Sequence, residues 1–299
     1  MWPVYYLEKN RAIMRVKLIN KAEDIGFCWG VQRAIEIVDR EVIQRGSIDS
    51  LGSIVHNQRV MDHLQKLGVR VIDDLPEVKG DAVIISTHGT TPEVIAEIER
   101  RHLKLIDTTC PFVRRAQLAA RKLARLGFFI VIFGDQEHPE VRGILGWAGG
   151  HGMATLKADE VRSLRNIPKR LGILSQTTQV VESFVDFSKE ILDYTLDCDS
   201  EIRIIDTICH DIRRRQESAA RLASNSEVVL VIGGSNSANT RHLAELCLKF
   251  AATYQIEGAQ DINPAWLKGK EHIGIVSGTS TDTATIQEVL SRVEGVIEK

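Results

Sequence analysis

Three of the five cysteines occur in a recurring local setting. Cys28, Cys110 and Cys209 lie in GFCWGVQRAIEIV, DTTCPFVRRAQLAA and DTICHDIRRRQESAA, each just before or within the first turn of a predicted helix. The free N–H groups and the dipole of a helix N-terminus favour the thiolate, which is the form of cysteine that binds metals. Three such thiolates could bind an iron–sulfur cluster with one iron left open, or a zinc ion together with a histidine. Three separate buried cysteines are the alternative, but the repeated Asp-Thr-x-Cys setting favours one shared site.

The other two cysteines lack this setting. Cys198 lies in TLDCDSE, which is typical of a loop, and Cys247 lies in AELCLKF, on the apolar face of a predicted helix. We expect both to be structural.

Polar residues follow six short apolar runs that are typical of buried strands in parallel sheets. The runs with their polar ends are LGSIVHN, DAVIISTHGTT, FFIVIFGDQEHPE, LGILSQTT, EVVLVIGGSNSAN and HIGIVSGTSTD. His56, His88 and His138 lie in three of these ends, and Ser, Thr and Asn dominate the others. Because ligands bind beyond the carboxyl ends of parallel strands, we expect a small polar chamber there. Imidazole and hydroxyl donors with few cations suit a compact phosphate or diphosphate, whereas a polynucleotide requires Lys/Arg patches.

Two charged features have a structural and a functional interpretation. Glu140, two residues after His138, could relay protons if burial raised its pKa; taken alone, a first-turn glutamate that stabilises the helix after Pro139 is favoured. The arginine runs at 114–115 and 213–215 are interpreted as solvated helix faces, with an acidic electron-donor protein as an alternative partner.

The elements that must position these residues alternate along the chain. Helix-period segments such as PEVIAEIERR, RAQLAARKLARLG, SFVDFSKEILDY and RQESAARLAS separate the strand-like runs, which predicts an α/β protein with mainly parallel sheets. Each interval between the recurring cysteines contains two strands with polar ends, and two more follow Cys209. We therefore predict three α/β domains over 15–109, 110–205 and 206–299, with residues 1–14 packed on the third.

Composition limits the possible functions. The chain has 299 residues, 43% of them hydrophobic and 26% charged, and a formal net charge of −2. These values are typical of a globular protein, and nothing marks the whole surface for nucleic acid or an anionic membrane. The chain has no apolar run of the roughly 20 residues that a membrane helix needs, and no signal-peptide pattern. We expect a cytoplasmic protein with free thiols rather than disulfides.

The short motifs together resemble one family. GFCWGV, VHN, THGT, DTTCP, HPE, SQTT, DTIC…RQE, NSANT and SGTST occur in the order and spacing of the IspH/LytB family, the 4-hydroxy-3-methylbut-2-enyl diphosphate reductases, over residues 15–290. The resemblance implies a pseudo-threefold trefoil of three α/β domains around a central [4Fe–4S] cluster. It also implies reductive removal of the substrate hydroxyl as water, which yields isopentenyl and dimethylallyl diphosphate in the non-mevalonate (MEP) isoprenoid pathway.

The resemblance also implies residue roles and partners. Cys28, Cys110 and Cys209 match the cluster ligands, and Glu140 matches the proton-delivering acid, with Thr177 and His138 beside it in catalysis. The residues that match substrate-binding positions are His56, His88, His138, Thr177, Ser237, Asn239 and Ser280. We expect ferredoxin or flavodoxin as the electron donor, a monomer or homodimer, and no nucleic-acid or membrane partner.

Three positions depart from the family pattern. Ile212 stands where the family usually has threonine, Ala238 replaces the second serine of Ser-Ser-Asn, and Asp282 replaces a proline after the final Ser-Thr. They leave two alternatives open: a paralogue that reduces another small allylic or phosphorylated alcohol, and a non-catalytic iron–sulfur sensor of redox state or ligand. A zinc hydrolase is a further alternative.

Overall fold

A computed structural model describes residues 18–164, 167–195 and 199–297. Within these ranges the chain forms three four-stranded sheets in which every strand pair is parallel. The predicted α/β class with parallel sheets is therefore confirmed. Cys198 and the segment 1–14 lie outside the described residues.

The first sheet follows the first recurring cysteine. It has the strand order β3-β2-β4-β5, with β2 at Ile48–Leu51, β3 at Val69–Ile72, β4 at Ala82–Ile85 and β5 at Lys104–Asp107. Its helices are α1 (Trp29–Arg45), α2 (Gln58–Leu67) and α3 (Pro92–Arg100). Alternate residues of β4 face opposite sides: Ala82 and Ile84 join the cluster under α1 and α2, whereas Val83 and Ile85 join the cluster with Ile98 of α3. The sheet is thus covered by helices on both faces.

The second sheet repeats this arrangement. It has the order β7-β6-β8-β9, with β6 at Phe129–Phe133, β7 at Gly152–Thr155, β8 at Arg170–Ser175 and β9 at Glu201–Ile204. Its helices are α4 (Pro111–Arg125), α5 (Pro139–Trp147), α6 (Ala158–Arg162) and α7 (Val181–Thr195).

The third sheet combines the two ends of the described chain. It has the order β1-β12-β10-β11, with β1 at Leu18–Lys21, β10 at Val228–Ile232, β11 at Ala252–Ile256 and β12 at His272–Ser277. Its helices are α8 (His210–Ala223), α9 (Ala238–Leu248) and α10 (Thr283–Ile297). The predicted first domain, 15–109, includes residues 18–21, but β1 pairs with β12, so these residues belong to the third sheet. This pairing joins residues far apart in sequence, such as Leu18 and His272, so no local pattern reveals it.

The six predicted strands correspond to the central pairs of the three sheets. Five are confirmed in place, as β4, β6, β8, β10 and β12. The first was misplaced: β2 ends at Leu51, Gly52 turns the chain at φ 74°, and Ile54 and Val55 are buried within a loop. The remaining strands are the outer ones. Most of them are partly exposed and therefore lack the continuous apolar run that indicates a buried strand.

The chain crosses between sheets at each recurring cysteine. β1, β5 and β9 are outer strands of the third, first and second sheets, and they lead to Cys28, Cys110 and Cys209 respectively. The helix after each cysteine packs on the next sheet: α1 on the first, α4 on the second and α8 on the third. No helix within the described ranges is long and apolar enough to cross a membrane.

Candidate active site

One cavity collects every residue proposed for chemistry. This cavity lies among the carboxyl ends of strands from all three sheets. Its lining includes the following predicted residues: Cys28, His56, His88, Cys110, His138, Glu140, Thr177, Cys209, Ser237, Asn239 and Ser280. No lysine or arginine of the described chain belongs to this lining, which agrees with the predicted chamber of donors and few cations.

The three cysteines are held in the same way. Each is the N-cap residue of a long helix, α1, α4 or α8. Each backbone N–H donates to the carbonyl of a threonine that follows a central strand: Cys28 to Thr279 at 2.9 Å, Cys110 to Thr87 at 3.0 Å and Cys209 to Thr177 at 2.9 Å. The three thiols therefore occupy equivalent positions around the cavity.

The repeated Asp-Thr-x-Cys motif supplies this geometry at two of the three sites. The carboxylates of Asp107 and Asp206 accept backbone N–H groups two residues on, and the Thr108 and Thr207 hydroxyls donate to carbonyls of the neighbouring strands. Each aspartate also pairs with an arginine four residues after the cysteine: Arg114 with Asp107 and Arg213 with Asp206. The interpretation of the arginine runs as solvated helix faces is therefore wrong for Arg114 and Arg213, which bind the segments that lead into the cysteines, whereas Arg115 and Arg214 are exposed.

Burial dominates the acidity of the thiols. Although N–H groups at the helix N-termini favour the thiolates, desolvation raises the pKa of Cys28, raises that of Cys110 to about 11 and raises that of Cys209 to about 12. The expectation of lowered pKa values was wrong, because removing a charge from water outweighs the helix terminus here. A cationic metal centre would supply the missing compensation.

The spacing of the thiols distinguishes between metals. Among the described residues, the only trio of Cys, His, Asp or Glu with ligand atoms all within 4.8 Å of one another is His56, His88 and His138. The three sulfurs are thus spread more widely than around a single zinc ion, where Zn–S bonds of about 2.3 Å bring sulfurs to about 4 Å. In a polynuclear cluster each thiolate binds a different iron, so a wider spacing is required. Two of the sulfurs are nevertheless near each other. A Cβ added to Gly30 would lie within 4 Å of both Cys28 Sγ and Cys110 Sγ. The residues fit an iron–sulfur cluster better than a zinc ion.

The three histidines form a second cluster in the cavity lining, which we call the histidine end, and the three cysteines form the thiol end. Their ring centroids are 4.4 Å apart for His56 and His88, 5.4 Å for His56 and His138, and 5.3 Å for His88 and His138. Burial lowers the pKa of all three, well below the usual value for His88 and to about 4 for His138. Burial therefore favours the neutral form of all three rings before a ligand binds, and a bound anion would shift His56 and His88 back toward their charged forms.

Hydrogen bonding identifies His138 as a donor rather than a metal ligand. The backbone N–H of Glu140 donates to Nδ1 of His138 at 3.1 Å, so the neutral ring carries its proton on Nε2. A metal would need the lone pair at Nε2, but an anion would accept that proton. Nε2 of His56 is also buried and has no hydrogen-bond partner among the described residues. These features suit the oxygens of an anionic ligand.

Glu140 in α5 and Thr177 in the loop after β8 form a buried pair. Glu140 lies in the first turn of α5 and is 2% exposed. Its Oε1 accepts the Thr177 backbone N–H at 2.7 Å, and its Oε2 accepts the Thr177 hydroxyl at 2.9 Å. Burial raises the pKa of Glu140 to about 7. The favoured structural interpretation was therefore incomplete: this side chain turns from its own helix toward the cavity and can hold a transferable proton near neutral pH.

The loops that follow strands of the third sheet contribute neutral donors. Ser237 caps α9, and its hydroxyl accepts the Thr240 N–H. Asn239 is 3% exposed, and within the described chain neither its Oδ1 nor its Nδ2 has a partner. Burying an unpaired amide is costly, so this side chain indicates a polar ligand. Ser280 Oγ donates weakly to the His56 carbonyl at 3.4 Å and is available to a better partner.

The three departures from the family pattern occupy different places. Ile212 and Ala238 line the cavity, so both replace hydroxyls that would face it. Asp282 does not line it: its carboxylate accepts the N–H and hydroxyl of Thr285 at 2.8 and 2.6 Å, at the start of α10. Asp282 stabilises a helix N-terminus, whereas Ile212 and Ala238 alter the wall.

The structure adds lining residues that sequence reasoning missed. They are Gly30, Thr87, Thr178, Asp211 and Thr279. Thr87, Thr178 and Thr279 adjoin predicted residues in the same polar strand ends, and Gly30 and Asp211 each lie two residues after a cysteine. Cys247 is buried in α9, away from the cavity, as expected.

These features define a class: an α/β protein with three parallel sheets whose cysteine-headed helices enclose one reaction chamber. A family model described as "LytB protein" matches residues 19–294, and the chain belongs to this family.

Relatives and solved structures agree with this assignment. A 4-hydroxy-3-methylbut-2-enyl diphosphate reductase of Dehalococcoides mccartyi (strain CBDB1) is 50% identical over 270 residues, which cover 90% of this chain and 95% of that protein. The enzyme of the same name from Geobacter metallireducens is 39% identical over 92% of this chain and 96% of its own length. A solved (E)-4-hydroxy-3-methyl-but-2-enyl diphosphate reductase, described as the terminal enzyme of the non-mevalonate pathway, has a TM-score of 0.68 and 37% identity, covering 93% of this chain and 99% of its own. The E-1-hydroxy-2-methyl-but-2-enyl-4-diphosphate reductase of Plasmodium falciparum has a TM-score of 0.87 and 26% identity, covering 92% and 87%.

Proposed function

We propose that the protein is a 4-hydroxy-3-methylbut-2-enyl diphosphate reductase of the MEP isoprenoid pathway. The observation that carries the proposal is one cavity whose lining combines three equivalent thiols, a buried Glu140–Thr177 pair and unpartnered polar groups of His56 and Asn239. The overall reaction consumes two electrons and two protons, breaks the allylic C–O bond and releases water.

Cys28, Cys110 and Cys209 would hold a [4Fe–4S] cluster. When bound, the cluster supplies electrons and a Lewis-acidic iron that weakens the bond to a poor leaving group. The other roles belong to side chains of this chain. Because three cysteines leave one iron without a protein ligand, the reacting carbon and its hydroxyl would lie between the thiol end and Glu140.

The histidine end of the cavity would bind the diphosphate. Nε2–H of His138 can donate to a phosphate oxygen, and His56, His88, Ser237, Asn239 and Ser280 provide further donors around the same space. Binding an anion there would satisfy the unpartnered amide of Asn239 and favour protonated imidazoles. The substrate is thereby oriented with its hydroxyl toward Glu140 and Thr177.

Glu140 would deliver the proton that turns the leaving hydroxyl into water. Its pKa, raised to about 7 by burial, keeps much of it protonated at neutral pH. Thr177 would fix the carboxyl through the two hydrogen bonds described above. The apolar Val31, Val55 and Val113 on the cavity wall would limit water around an allylic species.

The test is anaerobic turnover of the butenyl diphosphate with a reduced dye. We expect cluster-loaded protein to form isopentenyl and dimethylallyl diphosphate, and Glu140→Gln to retain the cluster but turn over far more slowly. Glu137→Gln is the matched control, because Glu137 is exposed just before α5, three residues from Glu140. Cluster-loaded protein that binds the diphosphate without reducing it would overturn the proposal and favour the sensor.

A second candidate is a paralogue that reduces another small allylic alcohol on the same scaffold. Ile212 and Ala238 favour it, because both face the cavity with apolar groups. A higher kcat/KM for a different allylic diphosphate or phosphate than for the butenyl diphosphate would select this candidate. Ferredoxin or flavodoxin as donor, a monomer or homodimer, and a cytoplasmic location remain predictions.

A further inference from the structure

An arginine occurs at the same position after each of the three cysteines. Arg33, Arg115 and Arg214 each lie five residues after Cys28, Cys110 or Cys209, one helical turn and a half into α1, α4 and α8. We call these three residues the arginine ring. None of them lines the cavity, so a contact with substrate does not explain them.

Each ring residue reaches the segment that leads into the next cysteine. Arg33 donates to the carbonyl of Thr109, the residue before Cys110, at 3.4 Å. Arg115 donates to the carbonyl of Asp206, three residues before Cys209, at 2.6 Å. Arg214 donates to the carboxylate of Asp24, four residues before Cys28, at 2.8 Å. The contacts therefore connect the first cysteine to the second, the second to the third and the third back to the first.

The third connection is reinforced by the next residue. Arg215 is 5% exposed, and its guanidinium donates to the carbonyls of Asp24 at 3.2 Å, Gly26 at 2.7 Å and Ser277 at 3.3 Å. Gly26 lies two residues before Cys28, so this contact also fixes the approach to that cysteine. The acceptors of Arg33, Arg115 and Arg215 are backbone carbonyls, so these hydrogen bonds do not themselves neutralise the guanidinium charges, although the carboxylates of Asp24 and Asp211 lie near Arg215.

We propose that the arginine ring sets the spacing of Cys28, Cys110 and Cys209 and thereby determines how firmly the cluster is held and at what potential it is reduced. The ring residues are positioning residues, since they act through the segments that contain the ligands. The proposal rests on the cluster of the proposed function but not on its substrate. It also gives the three cysteines a common frame although their sulfurs come from distant parts of the chain.

The test measures cluster retention rather than turnover. Cluster-loaded wild type, Arg115→Met, Arg115→Lys and Arg33→Met are exposed anaerobically to excess iron chelator, and iron release is followed together with the midpoint potential and the thermal unfolding midpoint. We expect Arg115→Met to release iron about tenfold faster and to show a lower midpoint potential, because a charged hydrogen bond and a nearby cation are lost. Arg115→Lys should recover part of both effects, since an ammonium can still donate to the Asp206 carbonyl. Arg33→Met should show the smaller change, in keeping with its longer contact.

Arg125→Met is the matched control, because Arg125 is an exposed arginine in the last turn of the same helix as Arg115. This variant should release iron at the wild-type rate and should have the wild-type midpoint potential. The proposal is overturned if Arg115→Met behaves like Arg125→Met, or if it only lowers the unfolding midpoint with no change in potential and no recovery by lysine. Failure of the reductase proposal is a separate result: wild type would hold its cluster and leave the butenyl diphosphate unreduced.

Discussion

The two ends of the cavity are built in different ways. At the thiol end, one arrangement occurs three times: an outer strand, a cysteine N-cap bonded to a threonine carbonyl, and a long helix. At the histidine end nothing repeats. His56 and His88 come from loops of the first sheet, His138 from the second and Asn239 from the third, and each makes different contacts.

This difference separates the tasks of the two ends. A near-symmetric centre suits a cofactor whose irons are equivalent until something binds one of them. An extended substrate with a charged end and a reacting end needs an asymmetric wall. We therefore expect changes at the thiol end to affect what the protein holds, and changes at the histidine end to affect what it does.

Removing one thiol should have the largest effect. Cys209→Ser is expected to lose the cluster and essentially all turnover, because a serine hydroxyl is a poor ligand for iron in such a centre. Iron content and visible absorbance after anaerobic reconstitution measure this. Cys247→Ala should keep both, because that cysteine is buried in α9 outside the cavity. Full activity in Cys209→Ser would remove it from the ligand set.

Changing the carboxyl of Glu140 should spare the cluster and slow the reaction. Glu140→Gln keeps the size of the side chain but cannot deliver a proton, so we expect kcat to fall by about 10²–10⁴. Iron content should equal that of the wild type. Near-normal single-turnover rates in this variant would exclude Glu140 from proton delivery. The irregular arrangement of the histidine end would then serve substrate binding alone.

The same carboxyl should impose a pH dependence. Burial raises the pKa of Glu140 to about 7, and the protonated form is the active one. The rate should therefore be highest below that pKa and should fall by about tenfold per pH unit above it. Glu140→Gln should lack this alkaline decrease. An identical decrease in the variant would assign it to another group.

A methyl group added at Gly30 should weaken the hold of the cysteines on the cluster. A Cβ on Gly30 would lie 2.7 Å from Cys110 Sγ, closer than ordinary contact allows. Gly30→Ala should therefore destabilise the loaded site by about 1–3 kcal/mol, seen as several-fold faster iron loss. Gly295→Ala is the control, because no atom lies within 4 Å of its added Cβ. Wild-type iron retention in Gly30→Ala would contradict the close approach of Gly30 and Cys110.

A change outside both ends should leave kinetics untouched. Asp282→Ala removes the carboxylate at the start of α10, which should cost about 1 kcal/mol of unfolding free energy. Although burial opposes it, hydrogen bonds from Thr285 lower the pKa of Asp282 below its usual 3.8, so this contribution is present above that value and lost as the pH falls below it. Asp282→Asn should lower the free energy of unfolding by less. An altered KM for the diphosphate in Asp282→Ala would place this side chain at the substrate.

Much of the site was predictable because its signals are local. A cysteine before a helix, a polar cluster after an apolar run and a repeated Asp-Thr-x-Cys are short patterns with direct physical meaning, and all eleven predicted residues line one cavity. The central strands of the three sheets other than β2 were also visible, because strands buried on both faces are continuously apolar. The outer strands were not, since partial exposure removes that signal.

The sequence by itself determined the alternation of strands and helices and the chemical types available: three thiols, three imidazoles, one carboxyl and a set of neutral donors. Only the tertiary structure decided that β1 joins the third sheet, that burial raises rather than lowers the thiol pKa values, and that each ring arginine binds the segment before the next cysteine. The physical reason is that pairing, desolvation and contacts between distant segments depend on which parts of the chain are brought together, and a local pattern contains no information about its neighbours in space.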